Sequence, residues 1–318
     1  MRNLKPRSNG GLWPVTISVL IVALCSPASG VIIRGGDGTG NTTSPGDFPY
    51  WDALGKISKP NDSPPTDPAP FTYGGTAVYF GNGYVLTAWH IKVLDAPTSV
   101  TFGSSTYAID AGSWTQLENP DHTGADLSLF RISGEFPNIP YVPQSAIASS
   151  TQANDTEVYM MGYGRNRKTG LTYWKSDWTE TIIPSEASYS GYKWASSGKS
   201  MRWGTNVIAG SDYLLPGNYG TTSCYYVFFD DSGDDECTVA TGDSGGPVFV
   251  YSDGQWELIG LNLAYLDHPS QPSATAVFDN KPLFADLSIY RDQIVPEPAT
   301  LGLLVLGGLA LLARRRRK

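Results

Sequence analysis

The stretch Gly242-Asp243-Ser244-Gly245-Gly246-Pro247 is followed by the apolar run Val248-Phe249-Val250. Glycines around a serine leave its hydroxyl open to an approaching group, because they carry no Cβ. A tight turn here also aims the backbone N–H groups of Gly242 and Ser244 at one point, where an oxyanion would be held. The apolar run predicts a buried strand behind the turn. The stretch therefore predicts Ser244 as a nucleophile, and the alternative is a Gly-rich surface turn with an incidental serine.

A nucleophilic serine needs a base, and the chain has three histidines. His90 ends the segment Leu86-Thr87-Ala88-Trp89-His90, directly after a predicted strand. His122 is interpreted as a turn residue, and His268 stands beside a proline in a predicted loop. We therefore predict His90 as the general base.

A histidine base needs a carboxylate that fixes its tautomer and stabilises the imidazolium. Asp126 opens the alternating apolar segment Asp126-Leu127-Ser128-Leu129-Phe130-Arg131-Ile132, which predicts a strand with the carboxylate at its entrance. Asp121 and Asp110 are the alternatives, and neither is followed directly by such a strand. Asp126 at the entrance of a strand therefore suits a buried orienting carboxylate.

The six-residue string around Ser244 resembles the nucleophile motif of the trypsin/chymotrypsin-like serine proteases. Gly74-Gly75 and the segment ending in His90 resemble the Gly-Gly-Ser and Ala-Ala-His segments of that family. Residues 124–132 resemble its Asp-Ile-Ala-Leu-Leu strand, and Gly162-Tyr163-Gly164 falls where its Gly-Trp-Gly opens the second barrel. The resemblance covers about residues 72–265 and implies a catalytic order of His90, Asp126 and Ser244.

The predicted fold class is all-β, because short, turn-bounded strands recur and no long amphipathic helix is evident. The resemblance implies two six-stranded antiparallel β-barrels with the catalytic cleft between them. The predicted organisation is a signal peptide over residues 1–30, an N-terminal extension and first barrel over 31–145, a second barrel over 146–294 and a tail over 295–318.

Substrate selection departs from the family pattern. The family's residue at the base of the primary pocket corresponds to Thr238, so cleavage after Lys or Arg is not implied. The pocket wall, Ser-Trp-Gly in the family, is matched only loosely by Leu263-Ala264-Tyr265. The acidic stretch Phe229–Asp234 lacks clean calcium-ligand spacing and is interpreted as a turn. No metal or cofactor is expected.

The start of the exported chain also resembles a segment of this family. Ile33-Arg34-Gly35-Gly36 resembles the Ile-Val-Gly-Gly start of trypsin-like enzymes, whose new amine pairs with the aspartate before the nucleophile, here Asp243. We hypothesise that removal of the leader itself supplies this amine.

Basic residues, an apolar run from Val15 to Cys25 and small residues up to Gly30 predict a secretory signal peptide. Between the two ends, the body holds 14 basic and 29 acidic residues, a net charge near −15 that argues against a nucleic-acid partner. Cys224 and Cys237 are the only cysteines of the body and predict a disulfide in an exported chain, with two unlinked buried thiols as the alternative.

The C-terminal segment places Val295-Pro296-Glu297-Pro298 before fifteen mostly apolar residues and then Arg314-Arg315-Arg316-Arg317-Lys318. This arrangement resembles a PEP-CTERM sorting signal, which implies processing by an exosortase-type enzyme in a bacterial cell envelope. It predicts a transmembrane helix with transient membrane association, and the alternative is a permanent single-span anchor.

Together these features predict an exported serine endopeptidase that acts on protein or peptide substrates outside the cytoplasm. The alternative is a non-catalytic, protease-like binding module at the cell surface or in an extracellular matrix.

Overall fold

The computed structural model describes residues 31–58, 74–135, 138–218 and 220–294. The predicted signal peptide and C-terminal tail both lie outside these residues. The described chain is almost entirely β, as predicted, with two short α-helices and a few single 3₁₀ turns.

The first half forms a seven-stranded antiparallel sheet. In chain order, the elements of this half are β1 (Ile32–Ile33), which lies outside the sheet, β2 (Leu54–Ser58), β3 (Gly75–Tyr79), β4 (Tyr84–Thr87), α1 (Trp89–Asp95), β5 (Ser99–Phe102), β6 (Ser105–Ala108), β7 (Thr115–Glu118) and β8 (Gly124–Arg131). The strand order is β6-β5-β2-β3-β4-β8-β7. A further bridge between Ile109 and Ile132 joins the end of β6 to the end of β8, so the sheet closes on itself.

The second half forms a ten-stranded antiparallel sheet. In chain order, the elements of this half are β9 (Glu157–Arg167), β10 (Thr172–Trp174), β11 (Glu180–Thr181), β12 (Tyr189–Val207), β13 (Gly210–Leu215), β14 (Thr222–Tyr226), β15 (Cys237–Thr238), β16 (Pro247–Ser252), β17 (Gln255–Leu266), β18 (Thr275–Val277), β19 (Lys281–Asp286) and α2 (Arg291–Ile294). The main path runs β11-β10-β12-β9-β16-β17-β19-β14-β13, and β18 pairs with β12. The two sheets therefore hold seven and ten strands, where six each were predicted.

The additional strands of the second sheet come mainly from the segment between β9 and the middle of β12. Strand β12 is 19 residues long, and its register with β9 shifts between Trp194 and Lys199. Its first part leaves β9 to pair with β10 on one side and β18 on the other. We call the segment from Thr172 to Trp194 the inserted hairpin. It extends the second sheet next to the segment that the resemblance assigns to the substrate pocket.

Two clusters of buried apolar side chains form the core. The larger one fills the first sheet and continues between the halves, and the smaller one lies within the second sheet. Strand β1 belongs to the smaller cluster, because Val31, Ile32 and Ile33 are buried there and β1 pairs with β15. The beginning of the described chain thus packs with the second half, although it precedes the first sheet in the sequence.

The predicted disulfide between Cys224 and Cys237 is wrong, because no bond joins these two residues. The Cys224 side chain is buried in the larger cluster and that of Cys237 in the smaller one. Cys237 packs against Gly204, where an added Cβ would lie 2.4 Å from the cysteine Cβ. An even cysteine count in an exported chain gives no information on which cluster each side chain enters.

The transmembrane helix that the sequence predicts falls in the tail and so outside the described residues. Within the ranges that the structure does describe, no helix has the length and apolar character needed to cross a membrane.

Candidate active site

His90 and Asp126 are joined by two hydrogen bonds. The Asp126 Oδ1 accepts from the His90 backbone N–H at 2.8 Å, and Oδ2 lies 2.7 Å from Nδ1 of the ring. A carboxylate only accepts, so Nδ1 carries the proton and donates it to this bond. The ring is thereby held in the tautomer whose Nε2 can take a proton from another group. His90 is only 7% exposed, at the first turn of α1, and Asp126 stands near the start of β8.

The other candidates of the sequence lie elsewhere. His122 is exposed and faces Glu118, and the ring of His268 contacts the Phe278 carbonyl. The carboxylate of Asp121 accepts from Thr123 in its own turn.

Thr222, a residue that sequence reasoning missed, supports Asp126 from the second sheet. Its buried Oγ1 accepts a hydrogen bond of 2.8 Å from the Asp126 backbone N–H. Thr222 begins β14, whereas Asp126 belongs to the first sheet. The start of β8, which carries Asp126, is therefore hydrogen-bonded to the second sheet.

The turn that carries Ser244 is attached to the first sheet through Thr76. The Thr76 N–H donates to the Ser244 carbonyl at 2.9 Å, and its Oγ1 donates to the Gly242 carbonyl at 2.7 Å. The same Oγ1 accepts from the Tyr163 N–H at 2.7 Å. Thr76 is fully buried, so its three bonds fix β3, the start of the turn and β9 relative to one another.

Asn262 holds the other side of this turn. Its carbonyl accepts from the Gly245 N–H and its N–H donates to the Gly246 carbonyl, both at 2.8 Å. Its side-chain Nδ2 donates to the Met161 carbonyl at 3.0 Å. An asparagine inside the apolar segment of β17 was the only sequence signal for this role, because a buried amide must be hydrogen-bonded.

Close backbone contacts place the Ser244 turn beside His90. A Cβ at Gly245, whose φ is +79°, would lie 2.2 Å from Thr87 Oγ1 and 2.9 Å from Ala88 N. A Cβ at Gly75 would lie 3.1 Å from the Ser244 carbonyl oxygen and 2.0 Å from Ile91 Cδ1. The residues on both sides of His90 thus pack against the serine turn or its neighbour, and Ser244 is itself 2% exposed.

A model of the trypsin-like peptidase domain matches residues 75–261, which is more than half of the chain. The chain belongs to this family. A second model, the PEP-CTERM protein-sorting motif, matches residues 295–318. This trypsin-like peptidase is therefore an exported bacterial protein sorted to the cell envelope, with a tail of the kind that an exosortase processes.

A comparison with curated protein sequences found no match to this peptidase. Among solved structures, the Rv3671c protease from M. tuberculosis in its active form is 12% identical, with 78% of this chain and 82% of that chain covered and a TM-score of 0.42. Human heparin binding protein is 15% identical, with 80% of this chain and 94% of that chain covered and a TM-score of 0.45.

The predicted pocket residue of this trypsin-like peptidase, Thr238, lies on β15 and is paired with Ile32 of β1. Its side chain is buried, and its Oγ1 has no hydrogen-bond partner among the described residues. Tyr265, the last residue of the loosely matched pocket wall, is also buried and packs edge-on against Trp194 of the inserted hairpin. The side chains of the adjacent Cys237 and Val239 belong to the smaller apolar cluster, as do Trp194 and Tyr265.

The acidic stretch before β15 holds the N-terminal segment. The Arg34 guanidinium forms salt bridges with Asp231 and Asp234, which fall in the region considered as a calcium loop. Across the described ranges, no group of three or more His, Cys, Asp or Glu side chains is placed to hold a metal ion.

Glu236 at the end of this stretch is buried, and burial raises the pKa of its carboxyl group to about 7. Its Oε1 accepts from Asn206 Nδ2 at 2.8 Å and from the Asp230 N–H at 3.1 Å, while the nearby Asp230 carboxylate raises the pKa further. The folded protein therefore binds this proton more tightly than the unfolded chain, whose carboxyl has a pKa near 4.5.

It follows that the free energy of unfolding falls as the pH rises from about 4.5 through about 7. In the Glu236→Gln variant this loss should be absent. Relative to the wild type, the free energy of unfolding of the variant should therefore rise by up to about 3 kcal/mol between pH 5 and pH 8. Urea unfolding at both pH values measures the difference. Glu157→Gln, which changes an exposed carboxyl on β9, is the control. Parallel pH profiles for the wild type and Glu236→Gln would contradict the assignment.

Proposed function

We propose that this protein is an exported serine endopeptidase in which Ser244 is the nucleophile, His90 the general base and Asp126 the orienting acid. The double hydrogen bond between His90 and Asp126, at 2.7 Å and 2.8 Å, is the observation that supports it best. The fold adds support because Thr76 and Gly245 bring the serine turn against the residues that precede His90.

In the proposed mechanism, His90 Nε2 removes the Ser244 hydroxyl proton while Oγ attacks the carbonyl carbon of a peptide bond. The oxyanion is held by the backbone N–H groups of Gly242 and Ser244. His90 then gives its proton to the leaving amine as the C–N bond breaks, which leaves an acyl group on Ser244. Water, deprotonated by the same imidazole, releases the acid product and restores the serine.

Thr238 lies at the base of the proposed primary pocket, so we propose that substrates do not require a basic residue at the cleavage site. We also propose that the substrates are proteins or peptides. Membrane association through the tail would be transient and end with its processing.

We propose that Val31 is the first residue of the mature chain, and the pairing of β1 supports this. β1 pairs Ile32 with Thr238, and continuing this register places Val31 opposite Val239. The next residue on that side, Ala240, donates its N–H to the Asp243 carboxylate at 3.4 Å. An amine at residue 31 would then reach the neighbourhood of Asp243. N-terminal sequencing of the exported protein should give Val31 as the first residue, and a start far from residues 31–33 would remove this proposal.

A fluorophosphonate probe tests the proposed activity. The full chain should be labelled at Ser244, and Ser244→Ala should abolish labelling. Ser252→Ala, near the other end of β16, changes an exposed serine and should leave labelling intact. Equal absence of label on the wild type and on Ser244→Ala would instead favour the protease-like binding module.

A further inference from the structure

Arg167, at the end of β9, has a buried guanidinium that is satisfied by backbone carbonyls alone. It is 5% exposed, and its three nitrogens donate to six carbonyl oxygens at 2.8–3.0 Å. Two acceptors belong to the next two residues of the chain, Lys168 and Thr169. None of the salt bridges between described residues involves Arg167. All of its hydrogen-bond acceptors are therefore peptide carbonyls, and the Asp37 carboxylate adds a further electrostatic attraction.

The other four acceptors are the consecutive carbonyls of Ile33, Arg34, Gly35 and Gly36. Consecutive carbonyls of an extended strand point to alternate sides, so a segment that aims four of them at one cation must curl around it. Gly36 allows this with a φ of +54°. A Cβ at Gly35 would lie 2.5 Å from the Asp234 carbonyl oxygen. The Ile33–Gly36 sequence thus fits a guanidinium at its centre.

Further contacts close this arrangement. The Arg167 guanidinium lies 3.9 Å from the ring centroid of Tyr192, whose hydroxyl donates to the Arg34 carbonyl at 2.8 Å. The stem of Arg167 also fills the space beside Gly38, where a Cβ would lie 2.6 Å from Arg167 Cγ. A guanidinium stays charged in a protein, so any displacement of residues 33–36 would leave a buried cation without most of its acceptors.

The segment that Arg167 binds is continuous with β1, which lies beside the loop that precedes Ser244. β1 pairs with Cys237 and Thr238, and the chain between Thr238 and Ser244 contains the Asp243 carboxylate and the Gly242 N–H of the proposed oxyanion site. A slip of β1 by one residue would turn the side chains of Val31, Ile32 and Ile33, which are all buried, to the opposite faces of the strand. The register of β1 therefore determines which of its side chains pack against residues 239–243.

We propose that Arg167 is a positioning residue for the proposed protease activity: it fixes the register of the N-terminal strand and so holds the loop before Ser244 in its reactive shape. The proposal rests on the proposed function, yet the position of residues 31–36 can be measured without any activity.

Two variants test it. Arg167→Ala removes the guanidinium, and Arg167→Lys keeps a charge but cannot meet four carbonyls with one ammonium group. Both should slow fluorophosphonate labelling of Ser244 at least about 100-fold, as loss of oxyanion support does. Guanidinium chloride at about 50 mM, far below denaturing concentrations, should return at least a tenth of the lost rate in Arg167→Ala but not in Arg167→Lys. Sodium chloride at the same concentration serves as the salt control.

Hydrogen exchange of residues 31–36, followed by mass spectrometry, gives the second readout. In Arg167→Ala it should speed up at least tenfold, while Arg131→Ala, which removes an arginine stacked on Tyr84 in the other half, should match the wild type. Unchanged labelling and exchange in Arg167→Ala would overturn the proposal, as would slow labelling with unchanged exchange and no rescue. A wild type that is not labelled while exchange in Arg167→Ala is accelerated would instead reject the proposed function and keep the strand-holding role.

Discussion

Asp126→Asn should lower kcat for peptide hydrolysis about 10⁴-fold and change KM little. In the wild type, one carboxylate oxygen of Asp126 accepts from the His90 backbone N–H and the other accepts from His90 Nδ1. An asparagine side chain has only one acceptor oxygen, so its NH2 group must face either the backbone N–H or the ring. Where it faces the ring, the proton moves to Nε2, and the imidazole can no longer act as a base toward Ser244.

Asp121→Asn is the matched control for this change, because it alters the exposed neighbouring aspartate that sequence reasoning also considered. Steady-state kinetics on a peptide mixture with both variants provides the comparison. A loss of kcat in Asp121→Asn as large as that in Asp126→Asn would show that the carboxylate next to His90 has no special role. Full activity in Asp126→Asn would lead to the same conclusion.

Gly245→Ala should destabilise the protein by about 3 kcal/mol or more and slow labelling of Ser244 by about 100-fold. The new methyl group would meet Thr87 Oγ1 at 2.2 Å and the Thr76 carbonyl at 2.4 Å, and neither atom belongs to a flexible side-chain end. The residue also has a φ of +79°, which an alanine adopts only with strain. Relief of the contacts would move the serine turn away from the strand that leads to His90, and a displacement of about 1 Å costs on the order of 100-fold in rate.

Gly254→Ala separates backbone strain from crowding. Gly254 has nearly the same φ, +77°, but no atom lies within 4 Å of its added Cβ. This variant should lose only about 1 kcal/mol and keep full labelling. Denaturant unfolding and probe-labelling rates for the two variants give the answer. Equal losses of stability in both would mean that crowding at the serine turn is not the cause.

Local patterns in the sequence predicted much of the fold. The triplet Gly81-Asn82-Gly83 between two apolar segments predicts a tight turn, and in the structure it joins β3 and β4 with positive φ at Asn82 and Gly83. The alternating segment Ser99–Phe102 likewise predicts a strand, and it forms β5. These predictions succeeded because a turn residue and an alternating apolar pattern act over a few neighbouring residues.

Contacts between distant residues could not be predicted in the same way. Thr222 reaches Asp126 over 96 residues and Thr76 reaches Gly242 over 166, and nothing beside either threonine marks such a partner. The predicted disulfide failed for a related reason, since a cysteine count carries no distance. Arg167 stands between other basic residues, Arg165 and Lys168, and only its burial and hydrogen bonds reveal the N-terminal segment around it. Ser244, His90 and Asp126 could be predicted as a set because family resemblance, unlike periodicity, relates separated segments.

The hydrogen bonds of Thr76 and Thr222 have a consequence for transport. Each joins a catalytic segment to the opposite half, so the proposed triad is assembled only after residues from Gly75 to Asn262 have emerged and folded together. A polypeptide threaded through an export channel would meet the secretion machinery with its hydroxyl, imidazole and carboxylate far apart. Latency during translocation would then come from topology, without a dedicated inhibitor segment.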